Sequence, residues 1–294
     1  MLYLSQFEFP DAGREFDFIL EQKKTCYDTY YPFKILSEHH LECLNFEPVT
    51  ILYGGNGSGK TTALNVMAEK LGLQRDALYN RSAFFEDYTK LCDYAAERII
   101  PEESRIITSD DVFDFMLNLR SLNEGIDRTR EELFEEYRAL TDSRAPRFQL
   151  HSLDDYDQLK KVTAARRKTQ SAYVRDSLGS NLRERSNGES ALMYFTNKIQ
   201  ENGLYLLDEP ENSLSPEKQL ELVKFLEDSV RFFGCQFVIA THSPFFLAMR
   251  DAKIYDLSGE KAKVRRWTEL ANVRAYYDFF KRHEGEFKAS DCYE

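Results

Sequence analysis

The feature that most constrains what this chain can fold into is Gly54-Gly55-Asn56-Gly57-Ser58-Gly59-Lys60-Thr61, followed by Thr62. It is a full G-x-x-x-x-G-K-[ST] phosphate-loop pattern. Glycines at this spacing let successive backbone N–H groups turn inward, and a helix starting at the lysine aims its positive end at the same point. Such a loop works only between a buried strand and a helix, and the flanking residues supply both. Val49–Tyr53 is a short apolar run that reads as a buried strand. Leu64, Met67, Ala68 and Leu71 keep helical spacing from Lys60 onward, and Gly72 supplies a stop. Gly54 to Thr62 are therefore the candidate nucleotide-binding residues. Lys60 would reach the outer phosphates of ATP, and the Thr61 hydroxyl would ligate Mg²⁺.

Two later segments have the residue types that phosphate chemistry needs. Leu204-Tyr205-Leu206-Leu207-Asp208-Glu209-Pro210 reads as a buried strand ending in two carboxylates. In α/β proteins the carboxyl edge of the sheet is where ligands bind. Asp208 is a candidate metal ligand, and Glu209 a candidate catalytic residue that orients the attacking water. Read alone, the pair is two surface acids at a strand end. Gln236–Ala240 is a second buried strand, followed by Thr241-His242-Ser243-Pro244. This puts His242 at the same edge as a candidate γ-phosphate sensor. Ser186-Asn187-Gly188-Glu189-Ser190 precedes a helical run and offers a second anion-binding helix start; read alone, it is a capped helix.

Strands alternating with helices after residue 186 predict an α/β sheet. The first fifty residues read as short strands, with turns at Pro10–Gly13 and Tyr31-Pro32. Between the two halves of the sheet lies a charged, mostly helical stretch. It has an apolar stripe at Leu133, Phe134, Tyr137 and Leu140 and a further helix expected from Leu153 to Asp176. The expected division is 1–78 for the N-terminal strands and phosphate loop, 79–185 for an inserted helical lobe, 186–267 for the rest of the core, and 268–294 for a C-terminal helix and tail.

Phosphate loop, S-N-G-E-S, Asp-Glu-Pro after an apolar run, and a strand ending in Thr-His-Ser together resemble an ABC-type ATPase. More narrowly, the chain resembles the SMC- and RecF-like branch outside the transporters, small bacterial proteins often labelled AAA family ATPases. The resemblance spans residues 35–75 and 180–260. It implies a P-loop NTPase fold with an ABC-type core, a mixed sheet with N-terminal antiparallel strands and an inserted helical lobe. It also implies that Ser186, Gly188 and Glu189 belong to a signature motif, that Glu211–Leu214 occupy the D-loop position, and that His242 is the switch histidine. Lys60, Glu209 and His242 would be catalytic, Thr61 and Asp208 would hold Mg²⁺, and two chains would close as a homodimer around two ATP molecules rather than as a ring hexamer. One departure stands out. The best-placed segment for the glutamine of transporter-type domains, Arg105–Thr108 followed by Ser109-Asp110-Asp111, has no glutamine. Asp110 is expected to cap the helix that begins near Val112; the alternative for it is a place in the metal shell.

The formal net charge is −11, which excludes a protein coated with nucleic-acid-binding charge. Even so, Lys160–Arg185 has eight basic residues against two acids, a candidate contact for DNA or RNA. The alternatives for this stretch are a solvated helix face or pairing with Glu131, Glu132, Glu135 and Glu136. No run is long and apolar enough to span a membrane. Met1–Phe9 lacks a basic-then-apolar leader, and the five cysteines are scattered, so a cytoplasmic protein is expected. The expected function is an ATPase acting on DNA in repair or phage defence. The alternative is an ATP-gated switch controlling a separately encoded effector, with no nucleic-acid contact of its own.

Overall fold

The architecture is taken from a computed structural model, which describes residues 1–22, 27, 29–142, 156–177 and 187–290. Strands β1 (Leu4–Glu8), β2 (Cys43–Asn45), β3 (Val49–Tyr53), β4 (Asp93–Ala96), β5 (Arg105–Thr108), β6 (Leu204–Asp208), β7 (Gln236–Ala240), β8 (Lys253–Asp256) and β9 (Lys263–Arg265) form two sheets. The smaller is antiparallel, in the order β2-β1-β4. The larger runs β5-β6-β7-β3-β8-β9 and is parallel except for β9. This is the α/β fold of a P-loop NTPase.

Every residue of β3, β6 and β7 is buried, and this is why they read as continuous apolar runs and not as alternating ones. Helix α1 (Ala12–Glu21) and α2 (Ile35–Glu38) precede the large sheet. Helix α3 (Lys60–Leu71) follows β3 directly and ends on Gly72 at φ +65°. Its Leu64 and Met67 join Phe7, Leu44, Phe85, Leu204 and Val238 in one buried cluster that unites both sheets. Burial is worth about 1.5–3 kcal/mol for each such large side chain. A polar clamp also joins the sheets. The fully buried Gln236 accepts from the Tyr3 and Leu4 amides through Oε1 (2.7 and 2.9 Å) and donates to the Leu4 carbonyl through Nε2 (2.8 Å).

The remaining helices are α4 (Phe85–Leu91), α5 (Ser109–Thr141), α6 (Tyr156–Arg167), α7 (Gln170–Ser177), α8 (Asn187–Lys198), α9 (Pro216–Phe232), α10 (Pro244–Leu247), α11 (Ala271–Arg282) and α12 (Glu284–Ser290). The chain divides into two compact units, one of Met1–Phe113 with Asn187–Glu294, the other of Asp114–Ser186. Residues 79–113, expected in the helical lobe, carry β4, which pairs with β1, and β5, which pairs with β6 in the large sheet. Strand pairing between distant segments has no local signature, and this moves the division into α5.

Two further local expectations change. Pro10–Gly13 is a helix start rather than a simple turn, because the Asp11 carboxylate accepts from the Arg14 amide (2.8 Å) and caps α1. The helix expected from Leu153 to Asp176 is interrupted between α6 and α7, where Thr169 opens the second helix by accepting from the Tyr173 amide through its carbonyl (2.9 Å). Residues 153–155 lie outside the described residues. Within this second unit, Leu133, Phe134, Tyr137 and Leu140 pack on Ala165, Tyr173 and Val174, so the apolar stripe is the core of the lobe.

Candidate active site at the carboxyl edge of the large sheet

The parallel register lines up the strand ends that bear the chemistry. Thr108 of β5 pairs with Asp208 of β6, Asp208 with Ala240 of β7, and Ala240 with Leu52 of β3. The loops after β3, β6 and β7 therefore leave one edge side by side, with the histidine strand between the phosphate-loop strand and the acidic strand.

The phosphate loop is shaped by its own glycines. Gly57 and Gly59 sit at φ +84° and +85°, where a side chain is strained. A Cβ on Gly54 would come within 2.4 Å of Ser58 Oγ, whereas one on Gly55 or Gly57 would meet nothing within 4 Å, so the open side of the loop is free for phosphate. Lys60, 4% exposed, bridges the loop by donating from Nζ to the Gly54 and Gly55 carbonyls (2.7 and 3.2 Å). Ser58 Oγ is buried with no hydrogen-bond partner. Asn56 is exposed on the loop, and Thr62 is buried with Oγ1 3.3 Å from the Tyr31 hydroxyl.

Thr61 Oγ1 donates to Asp208 Oδ1 at 3.2 Å, joining the two candidate metal ligands across 147 residues of sequence. The Asp208 carboxyl is pushed up to about 6, chiefly by burial, with the Thr61 hydrogen bond opposing the rise and the neighbouring Glu209 charge adding to it. A buried carboxylate beside a hydroxyl suits a hard divalent cation with oxygen ligands. These residues therefore fit Mg²⁺. Asp110 and Thr108 line a cavity of about 310 Å³ together with Thr61 and Asp208. The helix-start role expected of Asp110 falls to its neighbour. Asp111 accepts from the Thr108 amide and hydroxyl (2.6 and 2.8 Å) and from the Ala77 amide (2.5 Å), because α5 begins at Ser109 and turns Asp111 back onto the strand end.

Glu209 takes a left-handed backbone, φ +49°, which is uncommon for a residue with a Cβ and concentrates at functional sites. Its amide donates to the Ala240 carbonyl (2.8 Å), and its Oε2 accepts from Asn212 Nδ2 (3.1 Å). Glu209 Oε1 lies 3.4 Å from His242 Nε2. The structure thus brings Lys60, Thr61, Asp208, Glu209 and His242 to one edge.

The second anion-binding candidate sits on α8. Gly188 and Glu189 lie in its first turn, and Ser186 falls outside the described residues. The nearest atoms to a Cβ on Gly188 belong to Lys218 and Ser213 (3.6 and 3.8 Å). At its other end α8 is anchored by Asp76, which accepts from the Tyr194 hydroxyl (2.8 Å) and pairs with Lys198 (2.6 Å). Burial would raise the Asp76 carboxyl, but Lys198 and Tyr194 hold it below the usual range.

Sequence reasoning missed the individual roles of Glu211 and Asn272. Glu211 Oε1 accepts from Thr241 Oγ1 (2.7 Å) and from the amides of His242 (2.9 Å) and Ser243 (3.2 Å). Asn272, at the start of α11, donates from Nδ2 to the His242 carbonyl (2.7 Å). The repeated acid in Asp208-Glu209-Pro210-Glu211 was a signal for the first. The second had none.

Fold and edge together have the layout of a P-loop nucleotide-binding site. The AAA ATPase domain family model matches residues 121–247, a stretch that holds S-N-G-E-S, the Asp208-Glu209 pair and Thr241-His242. No curated protein sequence matches the chain. Among solved structures, the chain is similar to an Smc head bound to the C-terminal winged-helix domain of ScpA, with 18% identity, 76% of this chain and 91% of that one covered, and a TM-score of 0.41. A nucleotide-free ATP-binding cassette from an ABC transporter has 16% identity, 79% and 87% coverage and a TM-score of 0.38. A dimeric ATP-binding cassette bound to ADP and phosphate has 14% identity, 77% and 90% coverage and a TM-score of 0.36. At such scores, the residue assignments rest on this chain's own geometry. No described helix is long and apolar enough to cross a membrane.

Proposed function

We propose that the chain binds MgATP at the phosphate loop and hydrolyses it, closing as a homodimer around two nucleotides. The observation that carries this reading is the convergence of Lys60, the Thr61–Asp208 pair and the Glu209–His242 pair on one sheet edge. The loop amides and Lys60 would hold the phosphates, and Thr61 and Asp208 would hold Mg²⁺, which neutralises phosphate charge when bound. Glu209 would align the attacking water, and His242 would sense the γ-phosphate beside it. The first turn of α8, with Gly188 and Glu189, would face the nucleotide of a second chain, so that two copies related by a two-fold axis complete two sites.

A specific observation bears on what the ATPase acts on. Within the helical unit, Lys161 pairs with Glu136 (2.7 Å) and Lys168 with Asp176 (2.8 Å). Two members of the basic stretch are thus engaged by acids of their own lobe, and the break between α6 and α7 interrupts the continuous positive face. This favours the ATP-gated switch on a separately encoded effector over direct contact with DNA or RNA in repair or phage defence. Phosphate release from ATP, followed with and without Mg²⁺, tests the activity. Light scattering of a Glu209→Gln protein in saturating MgATP tests the dimer, with doubled mass expected. A monomer under those conditions overturns the composite site. A wild-type protein without Mg²⁺-dependent phosphate release overturns the ATPase itself.

A further inference from the structure

His242 lies past the last residue of β7 and before the first residue of α10. Its backbone N–H and C=O therefore belong to neither a sheet ladder nor a helix, and buried backbone groups must find partners elsewhere. Both partners are side chains from other parts of the chain. The N–H donates to Glu211 Oε1 at 2.9 Å, and the C=O accepts from Asn272 Nδ2 at 2.7 Å.

Each support is itself fixed. Glu211 Oε1 also takes the Thr241 hydroxyl and the Ser243 amide, so three donors converge on one carboxylate oxygen, while Oε2 is buried without a partner. Three converging donors fix the direction of this carboxylate oxygen. Asn272 is oriented from both sides, with its Oδ1 accepting from the Val273 amide (2.7 Å) and its own amide donating to the Tyr53 hydroxyl (3.3 Å). Tyr53 closes the strand that leads into the phosphate loop. Ser243, next in the chain, donates from Oγ to Gln219 Oε1 (2.7 Å), and Gln219 in turn donates from Nε2 to the Leu214 carbonyl (3.0 Å).

We infer that Glu211 and Asn272 are positioning residues for the switch histidine, which grip its peptide from both sides and so set Nε2 against Glu209. The inference rests on the ATPase reading above and deepens it. Neither residue is assigned a place among the groups that touch nucleotide. Their effect passes through His242, whose ring tip stands 3.4 Å from the Glu209 carboxylate. Misplacing a reacting group by about 1 Å costs on the order of a hundredfold in rate. Glu211 lies on the same loop as Glu209, between β6 and α9, so any shift of that loop moves both partners of the His242 contact together.

The test compares kcat for MgATP hydrolysis, Kd for a fluorescent ATP analogue and thermal stability in His242→Ala, Glu211→Ala, Glu211→Gln, Asn272→Asp and the Glu211→Ala/His242→Ala double variant. Glu211→Ala is expected to lower kcat by about 10–100-fold with Kd changed less than about threefold. Glu211→Gln keeps the Oε1 acceptor and is expected to recover most of that loss. Asn272→Asp is isosteric but cannot donate to the His242 carbonyl, and is expected to lower kcat as Glu211→Ala does. In the double variant, Glu211→Ala is expected to cost nothing further, because the residue it positions is gone. Wild-type kcat in both Glu211→Ala and Asn272→Asp, or losses that add in full to that of His242→Ala, would overturn the inference. If Glu211→Ala does not fold, the isosteric Asn272→Asp and Glu211→Gln proteins decide the matter in its place. A wild-type protein that does not hydrolyse ATP, or a His242→Ala protein at the wild-type rate, instead overturns the ATPase reading or its histidine.

Discussion

The phosphate loop and the histidine loop leave neighbouring strands of one sheet, yet they are held in different ways. The phosphate loop is shaped from within. Its glycines supply the positive φ values, and Lys60 closes it on the Gly54 and Gly55 carbonyls six and five residues back. The histidine loop contains no glycine and is held from outside, by Glu211 and Asn272, 31 and 30 residues away. A loop built from its own backbone is a recurring local motif, whereas a loop gripped by distant side chains exists only in the folded chain.

The largest expected effects separate binding from turnover at the first loop. Lys60→Ala should abolish nucleotide binding in a fluorescent-analogue titration, because the triphosphate would lose its buried counter-charge. Glu209→Gln should leave that titration near wild type and lower kcat by about a hundredfold or more, since it removes only the charge proposed to orient water. Equal losses of binding in the two proteins would break the distinction.

A smaller effect is expected from a methyl group on the first loop. Gly59 has φ +85°, and its Cβ would lie 2.9 Å from Leu36 Cδ2. Gly59→Ala should therefore destabilise the fold by about 1–3 kcal/mol through backbone strain and crowding. Urea denaturation checks this, and a neutral substitution would show that the loop is not held by its glycines.

The smallest effect concerns a distant support of the phosphate loop. Glu15, 2% exposed, accepts from the Lys34 amide and the Ser37 hydroxyl (both 2.7 Å), and so fixes α2, whose Ile35 and Leu36 pack against Gly59. Burial raises the Glu15 carboxyl above its ordinary value of 4.5, and the hydrogen bonds from Ser37 and Lys34 only partly offset this. The folded state then binds its proton more tightly than the unfolded state. This contribution to stability is full below the unfolded value and is lost as pH rises through the folded one. Glu15→Gln, which keeps an acceptor, should flatten that part of the stability curve in thermal melts taken from pH 4 upward. An unchanged slope would show that Glu15 does not carry it.

The contrast between the loops explains how much of the site was legible beforehand. Gly54–Thr62, Asp208, Glu209 and His242 could be named because each is a residue type at a fixed distance from a strand end or helix start. The Asp110 expectation was one residue off, since choosing between adjacent acids depends on where α5 begins its first turn. Asn272 carried no signal, because nothing in Leu270-Ala271-Asn272-Val273 refers to a histidine 30 residues earlier.

The sequence by itself determined the strand–loop–helix around Lys60, the acidic and histidine strand ends, and the apolar stripe of the helical lobe. These depend on local geometry: glycine's access to positive φ, the helical repeat, and the burial of whole strands. Only the tertiary structure decided that β5 joins β6 in the large sheet, that Thr61 meets Asp208, and that His242 is held between Glu211 and Asn272. Those contacts join residues far apart in the chain. Their partners are selected by sheet order and by the need to satisfy buried polar groups, and neither is written in the spacing of neighbouring residues.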